Sequence, residues 1–268
     1  MKTNYWLKIC KEAGNKVFSE IKKYLKKKER KKVIRMGFGG DKTLLIDDIT
    51  EKIILDCFRM TRKSFRFISE ESGNGMVGEN PEVLVVIDPI DGSKNLKFGI
   101  PFASTSIAIG DIEESMGGIE IGYVKNLING DEYYAVKGNG AFKNGGKIRV
   151  SEEENSCLLV DVCTDKVKNL KRMVNLEKEF ERVRVLGSCS LEMCFLAEGI
   201  VGGYVALGSR RTIDQAASQL IVKEAGGIVK DLEGNDFSSY DIGFKKNLNL
   251  IAAQNEAVYK KIKRLLIG

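Results

Sequence analysis

The stretch VVIDPIDGSKN, from Val85 to Asn95, combines an apolar run with two aspartates and a Gly-Ser pair. The apolar run Val83–Ile87 predicts a buried strand. Pro89 has no amide hydrogen and cannot continue a central strand, so we expect the chain to turn there. That turn would bring Asp88 and Asp91 together, and the sequence thus predicts two adjacent carboxylates at the end of a buried strand.

The composition is that of an ordinary globular protein. Of the 268 residues, 43% are hydrophobic and 30% are charged, and this length suits one large domain or two small ones of ~100–200 residues each. No apolar run approaches the ~20 residues that a membrane helix requires. Residues 1–17 are amphipathic and lack the apolar core of a signal peptide. We therefore expect a cytoplasmic protein without a membrane partner.

Histidine is absent from the chain, and the cysteines are scattered. The lack of histidine excludes Ser-His-Asp and Cys-His catalysis and removes the side chain best suited to proton transfer near neutral pH. No cysteine lies in a CxxC pair, so a zinc site of that type is not predicted. We expect six reduced, mostly buried thiols: Cys10, Cys57, Cys157, Cys163, Cys189 and Cys194. Carboxylates, lysines, hydroxyls or a metal ion would have to perform any catalysis.

The net charge of +6 is concentrated near the N-terminus, where residues 21–35 contain nine basic residues and one acid. Such a run could contact nucleic acid or another anionic surface. A solvated helix end is the interpretation we favour, because basic side chains suit a helix C-terminus and no aromatic or Arg-Gly pattern accompanies them. We therefore expect no nucleic-acid partner.

The spacing of apolar residues predicts helices over residues 4–30 and after a glycine-rich loop, Met36–Thr43. Ser64–Glu71 reads as a strand that ends in acids, and Gly73–Gly78 as a loop. Short strands with Gly- and Asn-rich turns then indicate an antiparallel sheet. After about Ser151, strands alternate with helices, which favours a more parallel sheet. Those helices are predicted over residues 166–180, 189–199, 213–225 and 255–266. Without a long linker, residues 1–268 form one unit with sub-regions of about 1–150 and 151–268.

Two glycine-rich segments match nucleotide-binding loops only in part. In GFGGDKT, from Gly37 to Thr43, Asp41 stands where a phosphate-binding loop has glycine before its lysine. The segment GNGMVG, Gly73–Gly78, matches GxGxxG but is followed by Glu-Asn-Pro instead of a helix that could receive a pyrophosphate. Neither segment predicts a nucleotide site.

Other carboxylates also stand at the ends of predicted elements: Asp47, Glu70, Glu71 and Asp214. Acids at strand ends in an apolar setting are costly unless they are paired or bind a metal ion. Converging carboxylates suit a hard divalent cation such as Mg²⁺, and the amides at Gly92–Ser93 could form an anion-binding nest. The alternative is an Asx turn at Asp88 and Asp91 with solvated glutamates. Taken together, the pattern favours a metal ion and a phosphate.

Three of these segments resemble the inositol monophosphatase family of Mg²⁺-dependent, lithium-sensitive phosphatases. They are FISEES (Phe67–Ser72), VVIDPIDGSKN (Val85–Asn95) and IDQAAS…KEAGG (Ile213–Gly227). Gly130–Ser151 and Leu186–Cys194 extend the resemblance over nearly the whole chain, in the family's order. The chain is similar to archaeal members that act on fructose 1,6-bisphosphate and inositol monophosphate, and the resemblance implies a role in carbohydrate metabolism such as gluconeogenesis.

The resemblance implies an α+β or α/β fold built as a five-layer α-β-α-β-α sandwich, and a homodimer. It also implies two or three Mg²⁺ ions in each site. The implied ligands are Glu70, Asp88 and the carbonyl of Ile90 for one ion, Asp88, Asp91 and Asp214 for a second, and Glu70 with nearby Glu71 for a third, weaker one. Two metal ions could clamp the attacking and leaving oxygens of a phosphate monoester.

The resemblance also assigns catalytic roles. The amides of Gly92 and Ser93 would bind the phosphate, and the Ser93 hydroxyl with Asp47 would orient and deprotonate the attacking water. The family often has threonine at the Ser93 position, and serine keeps the hydroxyl. The loop Gly37–Thr43 would close on the third metal ion.

The residues expected on the substrate side match the family pattern less closely than the acidic residues do. By the same resemblance, Gly187, Ser188, Cys189 and Ser190 would line the sugar side of the site. Arg184 and Arg211 could hold a second phosphate bidentately; alternatively, Arg210 and Arg211 are surface charges. Inositol-specific members carry a glutamate shortly before the last aspartate, whereas VALGSRRTID, from Val205 to Asp214, contains none.

We therefore predict a Mg²⁺-dependent phosphatase that acts on fructose 1,6-bisphosphate, inositol 1-phosphate or both. One alternative is a 3′-phosphoadenosine 5′-phosphate phosphatase of the same superfamily. Another is a catalytically silent binding or regulatory homologue. The complete set of acidic residues argues against the silent homologue, because a silent protein is free to lose its ligands.

Overall fold

The computed structural model describes residues 2–25, 27–162, 167–245 and 248–267. Cys163 and the predicted helix start at residue 166 therefore lie outside the described residues. The other five cysteines are free thiols, and all but Cys157 are buried, as predicted. No helix within the described ranges is long and apolar enough to cross a membrane.

Two helices, α1 (Thr3–Ile21) and α2 (Leu45–Arg59), pack against each other. The indole of Trp6 stacks on the ring of Phe58 with 5.9 Å between centroids. The prediction of a helix to residue 30 is wrong, because α1 ends at Ile21, the last residue of its buried face. Beyond it only Tyr24 and Leu25 pack against the core, the remaining residues are mostly lysine, and a short 3-10 helix, Lys28–Lys31, follows.

The predicted loop Met36–Thr43 is instead the tip of a hairpin. Strands β1 (Val33–Met36) and β2 (Lys42–Leu44) pair antiparallel and leave only residues 37–41 as the turn. The hairpin leads directly into α2, so it lies beside the first carboxylate of that helix, Asp47.

The first sheet has eight strands in the order β10-β9-β8-β7-β6-β5-β3-β4. The strands are β3 (Phe65–Ser69), β4 (Gly73–Val77), β5 (Val83–Asp91), β6 (Ser104–Gly110), β7 (Ile119–Asn126), β8 (Glu132–Val136), β9 (Gly140–Lys143) and β10 (Gly146–Ile148). Every neighbouring pair is antiparallel except β3 and β5, which confirms the predicted antiparallel sheet. The predicted loop at Gly73–Gly78 is wrong: β4 occupies it, and the ring of Phe67 lies where Gly75 has no side chain.

Strand β5 also differs from its prediction, because it continues through Pro89 to Asp91. A bulge separates Asp88, which faces Ser106, from Asp91, which faces Ser104. A bulge leaves residues outside the hydrogen-bond ladder, so a proline without an amide hydrogen fits there. The two aspartates are thus brought together by a bulge within the strand and not by the end of the strand.

The second sheet has five strands in the order β12-β11-β13-β15-β14. They are β11 (Cys157–Val162), β12 (Arg182–Arg184), β13 (Gly203–Arg210), β14 (Ile228–Asp231) and β15 (Leu248–Ala253). Strand β11 is parallel to both β12 and β13, whereas β15 is antiparallel to its two neighbours. The prediction of a more parallel sheet therefore holds for three strands, and the return through β15 makes the sheet mixed.

The helices complete five layers. Helices α1 and α2 cover the outer face of the first sheet, α5 (Cys189–Ala197) and α6 (Ala216–Glu224) lie between the sheets, and α4 (Val167–Glu177) and α7 (Glu256–Ile267) cover the second sheet. Among the described residues, three clusters of buried hydrophobic side chains hold these layers together, and one of them extends from the first sheet through α5 and α6 to the second. Every residue of β5 is buried, as expected for a strand covered on both faces. The predicted five-layer α-β-α-β-α sandwich is confirmed.

Candidate active site

A cleft of about 670 Å³ opens where β5 ends. Its walls include most of the predicted metal and phosphate ligands: Glu70, Glu71, Asp88, Ile90, Asp91, Gly92, Ser93, Gly187, Arg211 and Asp214. Both sheets contribute, since β3 and β5 belong to the first sheet and β13 to the second. The short helix α3 (Ser93–Phe98) begins at the cleft floor directly after Gly92.

Three carboxylates form what we call the acidic centre: Glu70, Asp88 and Asp214 each place an oxygen atom within 4.8 Å of the other two. Ser69 pairs with Ile87 in the parallel β3–β5 ladder, so the next residues, Glu70 just after β3 and Asp88 within β5, lie side by side. Asp214 arrives from the second half of the chain in a 3-10 helix. The fold therefore brings together acids that are far apart in sequence, as predicted.

Asp88 is the least satisfied member of the acidic centre. Its Oδ1 atom is buried and has no hydrogen-bond partner. Burial raises the pKa of Asp88 well above its usual value, and the nearby carboxylates of Glu70 and Asp91 raise it further. A buried carboxylate oxygen without a donor is costly for a protein to maintain, and a bound cation would relieve that cost.

Asp91 lies three residues further along β5 but is well supplied with donors. Its Oδ2 atom accepts hydrogen bonds from the Ser188 hydroxyl at 2.8 Å and the Ser190 amide at 2.7 Å. The Cys189 thiol lies 3.7 Å from Oδ1, and a guanidinium nitrogen of Arg210 lies 3.7 Å from the same atom. Burial raises the pKa of Asp91, while Arg210 and the two donors oppose the rise.

Arg211 lies against the carboxylates of the acidic centre and has only 3% of its surface exposed. Its guanidinium forms an ion pair with Glu70, and its Nε donates to Asp214 Oδ1 at 3.0 Å. Arg210 is paired too, because its Nε donates to Asp161 Oδ2 at 2.6 Å. The alternative that these two arginines are surface charges is therefore wrong.

Asp47 lies beneath the cleft instead of lining it. Its Oδ2 atom accepts the Leu44 amide at 2.8 Å, and its buried Oδ1 atom has no partner. Burial, reinforced by the nearby Glu71, raises the pKa of Asp47 well above its usual value. Burial also raises the pKa of Glu71 to about 7, although the Thr43 hydroxyl donates to it and opposes the rise. In the described part of the chain, no hydrogen bond joins Asp47 to Ser93.

The backbone around Gly92 requires glycine. Its φ angle is +91°, and a Cβ atom there would lie 2.9 Å from the Phe102 carbonyl oxygen. The side-chain amide of Asn95 donates to the carbonyls of Phe102 and Leu186, both at 2.8 Å. These bonds fasten the start of α3 to the segment that carries Gly187, so the phosphate-binding turn predicted at Gly92 is held rigidly.

The structure places four predicted substrate-side residues elsewhere. Ser188, Cys189 and Ser190 are buried against Asp91 and do not line the cleft. Arg184 lies on the edge strand β12, is exposed, and donates to the adjacent Val183 carbonyl at 2.9 Å. Arg210, the last residue of β13, lines the cleft, whereas after β12 the lining residue is Val185 and not Arg184.

Several lining residues were missed by the sequence-based prediction: Lys42, Lys94, Lys97 and Asp161. Lys94 and Lys97 follow Gly92-Ser93 and are three residues apart, so they lie near one face of α3. This spacing could have identified them as lining residues. Nothing in the local sequence marks Asp161, because its role depends on the pairing of β11 with β13.

The comparisons with known proteins agree with this geometry. A model described as "Inositol monophosphatase family" matches residues 3–266. The chain is 31% identical to a bifunctional NADP phosphatase/NAD kinase of Methanococcus maripaludis, over 96% of this chain but only 48% of that protein, so it spans about half of that relative. It is 30% identical to a fructose-1,6-bisphosphatase/inositol-1-monophosphatase of Methanothermobacter thermautotrophicus, over 98% and 96% of the two chains.

Solved structures show the same relationship. The extragenic suppressor protein suhB from Bartonella henselae superposes with a TM-score of 0.84 at 28% identity, covering 98% of each chain. The predicted family resemblance and the predicted sandwich are both confirmed. The chain belongs to the inositol monophosphatase family.

Proposed function

We propose that this protein is a Mg²⁺-dependent phosphatase that hydrolyses a phosphate monoester of a sugar or polyol. The observation that carries the proposal is the acidic centre, whose three carboxylates converge within 4.8 Å beside the turn at Gly92 and Ser93. Because the cleft takes its walls from both sheets, residues 1–268 would act as one catalytic unit.

The residues present fit a divalent cation. The atoms that the acidic centre offers to a metal ion are all carboxylate oxygens, which Mg²⁺ prefers, and Asp88 Oδ1 is buried without a hydrogen-bond partner. Glu70, Asp88, Asp91, Asp214 and the carbonyl of Ile90 would hold two ions, and Glu71 would help with a third. Bound Mg²⁺ supplies charge neutralisation and a more acidic water.

The chain's own groups would position the phosphate and move the proton. The amides of Gly92 and Ser93 would bind phosphate oxygens at the rigid start of α3. Asp47 would accept the proton of the attacking water through the Ser93 hydroxyl. The buried Asp47 has a free Oδ1 atom and a raised pKa, and both properties suit a general base.

The cleft supports a sugar phosphate better than a nucleotide. Basic side chains stand around the acidic residues: Lys42, Lys94, Lys97 and Arg210. Such a wall suits a second phosphate, as in fructose 1,6-bisphosphate. Among the described lining residues none is aromatic, so the cleft offers no ring on which an adenine could stack. We therefore propose fructose 1,6-bisphosphate and inositol 1-phosphate as the substrates.

Phosphate release tests the proposal. We expect release from fructose 1,6-bisphosphate or inositol 1-phosphate with Mg²⁺, none with EDTA, and a reduced rate with Li⁺. Faster release from 3′-phosphoadenosine 5′-phosphate or NADP would contradict the sugar substrate. No release from any of the four at any Mg²⁺ concentration would support a silent homologue.

The proposal includes a cytoplasmic homodimer without a nucleic-acid or membrane partner. The support for the dimer is the family alone. Light scattering coupled to size-exclusion chromatography measures the mass directly, and a mass near twice 29.8 kDa is expected.

A further inference from the structure

Arg211 is a buried cation with two close carboxylate partners and a third, Asp41, at 3.9 Å from Nη1. Its Nη2 atom forms an ion pair with Glu70 Oε1 and lies 3.0 Å from Asp214 Oδ1. The Nε atom is 3.0 Å from Asp214 Oδ1 and 3.3 Å from Oδ2. A buried guanidinium is stable only when it is paired, and here the two close partners belong to the acidic centre.

These contacts use oxygen atoms of two of the three carboxylates that a metal ion would need. Glu70 Oε1 and both oxygens of Asp214 accept hydrogen bonds from Arg211. Mg²⁺ binds its oxygen ligands at roughly 2.0–2.1 Å and repels a guanidinium placed against the same oxygens. Asp88 is different, since its Oδ1 atom is buried and has no partner.

We infer that Arg211 is an internal cation that stabilises the acidic centre without metal and must withdraw from Glu70 and Asp214 when Mg²⁺ binds. The inference rests on the metal site of the proposed function. It makes Arg211 a positioning residue that lowers the affinity for Mg²⁺, since metal binding has to break two ion pairs. In the metal-free arrangement its donors are used by the acidic centre, so the predicted role of Arg211 in holding a second phosphate would require the same withdrawal.

Arg211 also connects the acidic centre to the hairpin turn at residues 37–41. Its Nη1 atom donates to the Gly39 carbonyl at 3.2 Å, and the Gly39 amide donates to the Glu70 carbonyl at 2.9 Å. A side chain on Gly39 would collide with the guanidinium. Withdrawal of Arg211 therefore has to change the contacts of this turn, so metal binding and the position of the turn are coupled.

Replacement of the guanidinium tests its effect on stability separately from its effect on the affinity for Mg²⁺. In Arg211→Met, the acidic centre loses its internal cation, so the metal-free protein in EDTA should have a lower Tm. Mg²⁺ no longer competes with Arg211, so its Kd should fall about tenfold, within the usual range of coupling between two ligands. The loss in Tm should shrink at saturating Mg²⁺, because the metal ion then supplies the missing charge.

The matched control is Arg210→Met. Arg210 neighbours Arg211 and carries the same charge, but its close partner is Asp161, its contact with Asp91 is 3.7 Å long, and it has no contact with Glu70 or Asp214. Its replacement should change the Kd less than Arg211→Met does, and the loss in Tm should depend less on Mg²⁺. A Kd that falls equally in both variants would assign the effect to long-range charge and would overturn the inference.

Isothermal titration of Mg²⁺, with melting curves in EDTA and in Mg²⁺, tests the inference without any turnover. An unchanged or weaker Mg²⁺ affinity in Arg211→Met overturns it. If that variant does not fold in EDTA, Arg211→Lys is titrated, and a Kd lower than that of the wild type is expected, because lysine cannot make the same forked contacts. Wild-type protein that binds no Mg²⁺ contradicts the proposed function itself, which is a different result from equal binding by wild type and variant.

Discussion

Two buried aspartates in strands have opposite environments. Asp231, at the end of β14, has 2% of its surface exposed and accepts bonds from the amides of Gly234 and Asn235 at 2.6 and 2.8 Å. The Tyr240 hydroxyl donates to its other oxygen at 2.7 Å. Asp88, at the bulge of β5, has an oxygen with no donor. One carboxylate is satisfied by the protein, and the other has a buried oxygen that the protein leaves without a partner.

The pKa values of the two groups follow the same division. Burial alone would raise the pKa of Asp231, but the bonds from Tyr240 and Asn235 outweigh burial and lower it. Burial raises the pKa of Asp88, and the carboxylates around it add to the rise. A structural carboxylate is thus ionised and stabilising, whereas a carboxylate prepared for a cation destabilises the metal-free protein.

The largest expected effect is that of Asp88→Asn on turnover. We expect kcat to fall by at least about 10³-fold, since the loss of a metal ligand removes several kcal/mol of charge stabilisation. The Tm in EDTA should rise, because the substitution removes a buried carboxyl group whose Oδ1 atom has no donor and whose neighbours include Glu70 and Asp91. Phosphate-release rates and melting curves measure both, and near-normal turnover would show that Asp88 does not hold the metal ion.

Gly92→Ala should have the next largest effect. The new Cβ atom would press on the Phe102 carbonyl and would impose a φ of +91° on an alanine. We expect a loss of about 2 kcal/mol in the free energy of unfolding and a fall of about 10²-fold in kcat. Gly138→Ala is the control, because its φ is +78° but a Cβ atom there meets nothing within 4 Å. Equal effects of the two substitutions would mean that strain alone is responsible.

Asp231→Ala should destabilise the protein without lowering turnover. It removes the acceptor of several hydrogen bonds at a buried carboxylate, so we expect the free energy of unfolding to fall by about 3 kcal/mol. Urea denaturation measures the loss, and kcat below the melting range should stay within about twofold of wild type. A large fall in kcat would contradict the conclusion that Asp231 has a structural role and Asp88 a catalytic one.

Substitution of Glu192 should stabilise the protein, and only as the pH rises. Its Oε1 atom accepts the Leu186 amide at 2.8 Å beneath the cleft, and burial raises its pKa to about 8. The folded protein therefore holds a proton that the unfolded chain releases near pH 4.5, so stability falls as pH rises from about 4.5 to 8. Glu192→Gln keeps the acceptor and has no proton to lose.

Melting curves at pH 5 and pH 8 test this expectation. The Glu192→Gln variant should match wild type at pH 5 and exceed it at pH 8, by an amount on the order of a few kcal/mol in the free energy of unfolding. An identical pH dependence of the two proteins would show that Glu192 is already ionised at pH 5.

The acidic centre could be predicted because its acids stand beside predicted helices and strands. Glu70 and Asp88 follow apolar runs, and Asp214 opens a helical segment. The family motifs then supplied the five layers. The strand through Pro89 was not predictable, because a bulge is recognised only once the partner strand, here β6, is known.

The surroundings of the site could not be predicted from local sequence. Whether Arg210 and Arg211 face solvent or carboxylates depends on how the two sheets meet, which no local pattern reports. Ser188 was predicted to contact the sugar but donates to Asp91, 97 positions away in sequence. Residues that act through long-range pairing leave no periodic signal.

Diffraction from crystals soaked in Mn²⁺, which accepts the same oxygen ligands as Mg²⁺ and scatters anomalously, tests the central claim most directly. The claim is that Glu70, Asp88 and Asp214 hold the catalytic metal ion. We predict an anomalous peak among these three carboxylates, with the guanidinium of Arg211 withdrawn from Glu70 and Asp214. A saturating soak that leaves Arg211 in place and gives no peak among the three carboxylates would contradict the claim.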